Sequence, residues 1–113
     1  MRRSFAHIGI ARRPGHWAIL LLMLCGPQVS AGPKGQELFL ARGCQYCHGE
    51  RGDAPSMPLY PKIAGQNAEY AFQQMRDIRD GRRTNSMSAA MRATVSQVKD
   101  AEFQAIAEWL ARL

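Results

Sequence analysis

Residues 32–113 predict an all-α domain on three observations. Apolar side chains recur at helical spacing in three stretches, no alternating strand pattern of useful length occurs, and the connecting segments are broken by proline and glycine. Those connections hold too little apolar content to form a core themselves. Long loops in so short a domain usually wrap something.

Residues 1–31 read as a secretory signal peptide. Arg2, Arg3, Arg12 and Arg13 come with no acid, and the apolar run "WAILLLMLC" follows. That run is about half of the roughly twenty residues needed to cross a bilayer, so a permanent span is the poorer reading. Val29-Ser30-Ala31 places the cut between Ala31 and Gly32, and the expected destination is the periplasm. Cys25 follows Leu24 rather than a small residue, which argues against a lipoprotein anchor. Four of the fifteen basic residues and none of the nine acids lie in the leader, leaving eleven cations against nine anions. So mild a balance, with no basic stripe interleaved with aromatics, points away from nucleic acid.

Three helices are predicted in the remainder. "KGQELFLARG" centres on Leu38 and Phe39 and ends at Gly43, a residue suited to the left-handed position that stops a helix. "NAEYAFQQMRDIRDG" opens at Asn67 as N-cap, keeps Ala71, Met75 and Ile78 on one face and closes at Gly81. "DAEFQAIAEWLARL" starts at Asp100 as N-cap and carries Phe103, Ile106, Ala107, Leu110 and Leu113 at helical spacing. Pro55, Pro58 and Pro61 crowd one intervening loop, and residues 82–96 read as irregular. The charges of "RDIRDGRR" fit a solvated helix end.

Such a domain of 82 residues has a marginal core unless a disulfide, metal or cofactor supplements it, and its only cysteines are Cys44 and Cys47. They stand in "CQYCH", with His48 directly after the second. A thioredoxin-like dithiol wants a preceding strand and a βαβ context, and here a helix precedes. Zinc needs a second pair of ligands, which the domain lacks. A disulfide would close a tiny loop of little entropic value and leave His48 unexplained. Covalent attachment of one haem c explains every position: the thiols of Cys44 and Cys47 add across the two vinyl groups, and His48 lies beneath the iron as its axial ligand.

The second axial ligand must be sought among Met57, Met75, Met87 and Met91, since His7 and His16 lie in the leader. Met75 belongs to the apolar stripe of the second helix, and Met57 follows His48 by nine residues in the same loop system. Met87 and Met91, both in the irregular stretch, are left open by this reasoning.

"GQELF", "CQYCHG", "YPKIAGQNAEYAFQQMRDIRDGRRTN", "MRATVSQVKD" and "AIAEWLARL" together resemble class I c-type cytochromes, in particular the cytochrome c-553 and cytochrome c4 group of bacterial carriers. The resemblance covers nearly all of residues 32–113. It implies the cytochrome c fold, with the first and last helices crossing beside the haem at Gly35, Phe39 and Trp109. It further implies that the carbonyl of Pro61 accepts the N–H of His48, and it puts the axial methionine at Met91, followed by Arg92. Lys99 stands where the group usually has serine, a departure that favours Met87 if the register slips. For the haem propionates, Tyr70 and Arg79 are the residues considered, without a decision between them.

With both axial positions filled by protein, the expected function is periplasmic one-electron transfer between redox proteins, a donor dehydrogenase or quinol-oxidising complex and an acceptor oxidase or reductase. No catalytic carboxylate pair, activated nucleophile or phosphate loop points to an enzyme. The alternative is a haem c subunit of a periplasmic dehydrogenase complex. Docking is expected at the haem edge beside Gln45, Tyr46 and the Pro55 to Pro61 loop, steered by Arg51, Lys62, Arg82 and Arg83. No stable membrane insertion is expected after signal cleavage.

Overall fold

The computed structural model describes residues 32–113; the expected signal peptide and its cleavage site lie outside them. Five helices follow in order: α1 (Gly32–Ala41), α2 (Gln45–His48), α3 (Ala68–Arg79), α4 (Ser88–Val95) and α5 (Asp100–Leu110). Among the described residues there is no strand, and the fold is all-α.

α1 ends as its sequence predicts. Gly43 takes φ = 74°, its N–H donates to Leu40 O at 3.0 Å, and the Cys44 N–H donates to Phe39 O at 3.1 Å. These are the two bonds of a Schellman motif, which turns the chain sharply at a glycine and leaves Cys44 at the start of the next turn. α1 then crosses α5. Phe39 is fully buried against Trp109, ring centroids 5.1 Å apart. The crossing is close because Gly35 has no side chain: a Cβ there would lie 2.3 Å from Ala105 O and 2.4 Å from Trp109 Cβ.

α3 starts at the expected cap, with Asn67 Oδ1 accepting from Tyr70 N–H at 3.0 Å, and buries Met75 and Ile78. It packs on α5 and α4. Ion pairs join the α3 end to the α5 start: Arg79 reaches Asp80 at 2.8 Å and Asp100 at 2.6 Å, and Arg76 reaches Asp100 at 3.5 Å. "RDIRDGRR" is thus largely a structural tie and not a bare cationic patch.

Three expectations are corrected. α5 ends at Leu110, so Leu113 lies beyond its stripe and is exposed. Lys99, not Asp100, occupies the N-cap of α5. The Lys99 N–H donates to Glu102 Oε2 at 2.9 Å, half of a capping box, which frees Asp100 to pair with the α3 arginines. The stretch 82–96 is not irregular throughout, because α4 occupies Ser88–Val95. Its alanines favour helix, and Val95, only 3% exposed, anchors it. No side chain caps its start at Met87.

A candidate haem site

α2 explains the spacing of the cysteines. In one helical turn the positions i, i+3 and i+4 share a face, so Cys44, Cys47 and His48 come to the same side. The His48 N–H donates to Cys44 O at 3.1 Å, closing that turn, and all three residues line one apolar cavity. Ser56 ties the loop beneath by donating from Oγ to Tyr46 O at 2.9 Å and from N–H to Cys47 O at 3.0 Å.

His48 is buried, and its Nδ1 lies 2.9 Å from Pro61 O. A carbonyl oxygen only accepts, so Nδ1 carries a proton, and in the neutral ring Nε2 is the nitrogen with the lone pair. The same bond fixes the ring's orientation and raises its strength as a donor to a metal.

The cavity has two adjoining lobes of about 280 and 200 Å³. Cys44, His48, Pro61, Ile78, Arg83, Met91 and Val95 line both. Cys47 and Met87 line the first only, and Phe39, Met75 and Phe103 the second. Met91 and Met87 come from the cavity face of α4, where Met87, Met91 and Val95 recur at i, i+4 and i+8. Met57 is 45% exposed and lines neither lobe. The five residues expected at the site, Cys44, Cys47, His48, Pro61 and Met91, are therefore brought to one cavity.

The thiol chemistry agrees. No disulfide joins Cys44 and Cys47. Burial pushes the Cys44 thiol up to about 11, so it is neutral at ordinary pH. A redox dithiol needs a lowered thiol pKa, and the opposite shift argues against that chemistry. Among the described residues no group of three or more histidines, cysteines and carboxylates could hold a metal unaided. The donor set fits a planar apolar ring instead, with two thiols at one edge, an oriented imidazole and walls of Ile, Val and Met.

A helical shell around such a cavity defines a domain that carries a covalently attached haem. The cytochrome c family model matches residues 33–113, and the chain belongs to that family. One haem c is attached through Cys44 and Cys47. The chain is similar to cytochrome c4 of Pseudomonas aeruginosa, 36% identical over 93 residues, 82% of this chain and 44% of that protein. Cytochrome c-553 of Nitratidesulfovibrio vulgaris is 28% identical over 75% of this chain and 83% of its own length. A protein of Thiomonas intermedia named thiosulfate dehydrogenase electron acceptor is 32% identical over 75% of this chain and 42% of its own. The chain spans about half the length of the cytochrome c4 and electron-acceptor relatives it matches. It is a class I c-type cytochrome of the c4 and c-553 group.

Proposed function

We propose that the chain is a diffusible periplasmic one-electron carrier whose haem iron is held between His48 and Met91. One observation carries the ligand assignment: His48 and Met91 both line both lobes, whereas Met87 lines one and Met57 neither. Met75 lines the second lobe but is buried in the apolar stripe of α3, where a methionine serves packing.

When bound, the haem supplies a one-electron Fe(III)/Fe(II) couple. The residues around it do the rest. Pro61 holds His48 in one tautomer, and a neutral thioether from Met91 favours the reduced metal and raises the potential. His48 and Met91 would both hold the haem iron, which would leave no site for a substrate and suit the group to relaying single electrons. Tyr46, Met57 and Leu59 are 77, 45 and 62% exposed beside α2, and they supply the apolar surface on which a redox partner docks. Of the four cations expected to steer it, Arg82 is paired with Asp77 and Asp80, which leaves Arg51, Lys62 and Arg83. Export rests on the basic and apolar pattern of residues 1–31, and no helix among the described residues is long and apolar enough to cross a membrane.

The test is the optical spectrum of the oxidised holoprotein, followed to the weak far-red band of methionine-ligated ferric haem. Met91→Ala abolishes the band and Met87→Ala keeps it; the reverse pattern moves the ligand to Met87. A second reading, a haem subunit of a dehydrogenase complex, is favoured by the relatives named as thiosulfate dehydrogenase electron acceptors. Constant co-elution with a larger polypeptide at native expression selects it over the free carrier.

A further inference from the structure

We propose that Arg83 is the carboxylate-binding group of the cavity, the cation that receives the haem propionates. The inference shares with the proposed function only the placement of the ring in this cavity, and it does not depend on which methionine is the ligand.

The first ground is the charge of the lining. Neither lobe is lined by an aspartate or glutamate, and Arg83 lines both, whereas Lys62 borders only the second. A cation beside an apolar wall with no counter-charge is costly, and a ligand that brings carboxylates supplies what is missing.

The second ground is a contrast within one short segment. Arg76, Arg79 and Arg82 are each paired with carboxylates, Asp100 for the first, Asp80 and Asp100 for the second, Asp77 and Asp80 for the third. Arg83, the next residue, has no ion pair among the described residues. Its Nη1 donates to Gln74 Oε1 at 2.9 Å and its Nε to Asn85 Oδ1 at 3.2 Å. Both acceptors are neutral amides, which aim the guanidinium without cancelling its charge. Further N–H groups of its fork remain for an incoming carboxylate, whose two oxygens that fork matches.

Of the two residues considered from the sequence, Arg79 is committed elsewhere. Besides its two aspartates it donates to Val98 O at 3.0 Å and lies over the Phe103 ring at 5.2 Å, and it lines neither lobe. Tyr70 borders the second lobe but is 52% exposed.

A cation held beside the ring disfavours the ferric state, so its removal lowers the reduction potential. The experiment is a redox titration of the purified holoprotein, comparing Arg83→Gln with Arg82→Gln, which removes the same charge one residue away from a carboxylate-paired site. Arg83→Gln is expected to shift the ferric-to-ferrous ratio at fixed solution potential by about threefold to tenfold toward ferric. Arg82→Gln shifts it much less, and Arg83→Lys recovers most of the effect. Equal shifts in the two glutamine variants, or none in Arg83→Gln, overturn the assignment. If Arg83→Gln fails to accumulate with haem, Gln74→Ala keeps the charge and removes one support; it shifts the ratio in the same direction by less, and no shift there overturns the assignment equally. The far-red band of the unaltered protein, read in parallel, reports failure of the His48 and Met91 ligation separately.

Discussion

Where α1 crosses α5, Phe39, Phe103, Ile106 and Leu110 are each at most 2% exposed. Across the cavity, α4 buries only Ser88 and Val95 and leaves Met87 and Met91 half-covered. Both regions are helical and both carry apolar stripes. At the crossing a glycine lets two backbones meet and leaves only one side of Phe39, Phe103, Ile106 and Leu110 to the second lobe, whereas α4, which packs on α3, turns Met87 and Met91 to the cavity. A small domain can divide its burial in this way, because a large apolar cofactor does the work of the missing core residues.

The largest expected effect follows from that division. The chain produced without haem supply loses most of its far-ultraviolet helical signal and melts without a cooperative transition, since the crossing alone is too small a core to offset the ordering of some eighty residues. A compact haem-free form with a sharp thermal transition would show that the crossing is self-sufficient and erase the comparison.

A smaller effect tests the crossing by itself. Gly35→Ala places a Cβ within 2.3 Å of the Ala105 carbonyl oxygen. Alanine is the better helix former by about 1 kcal/mol, but overpacking against backbone, which no rotamer relieves, costs roughly 1–3 kcal/mol. The net expectation is a loss of up to about 2 kcal/mol of holoprotein stability in urea, with the far-red band retained. Gain of stability would mean that the helices separate freely there.

The same division decides what the sequence reveals. α1, α3 and α5 are legible because they are the longer helices with fuller apolar stripes and their ends carry the usual signals, Gly43, Asn67 and Gly81. α4 is not, since it has only eight residues and Met87 offers no capping side chain; the spacing of Met87, Met91 and Val95 was the available signal. Cys44, Cys47 and His48 are legible because one turn of helix joins them. The Pro61 carbonyl comes from a separate loop, and only the resemblance anticipated it. Arg83 is invisible in the sequence, where four arginines in eight positions look alike; what separates it is the three-dimensional absence of acids around the cavity.

The smallest effect lies where the end of α1 meets the first turn of α5. Glu102 Oε1 accepts from Arg42 Nη2 at 2.6 Å and from Arg42 Nε at 3.2 Å, tying the end of α1 to the first turn of α5. The Lys99 backbone N–H, and then the Arg42 guanidinium, hold the Glu102 carboxyl below its ordinary value of 4.5. A carboxyl whose folded pKa is depressed contributes stability that is full above the unfolded value and is lost as pH falls through the folded one. Asp77 and Asp80 shift the same way, so acidification below about pH 4.5 weakens the whole set, and only a variant isolates one member. Glu102→Gln is expected to cost roughly 0.5–1 kcal/mol at neutral pH and to lose less than the unaltered protein between pH 5 and pH 3, so that the two urea midpoints converge. Parallel acid curves would mean that Arg42 and the Lys99 N–H hold the ionised and neutral side chains equally well, and that the crossing is fixed by packing at Gly35, Phe39 and Trp109 alone.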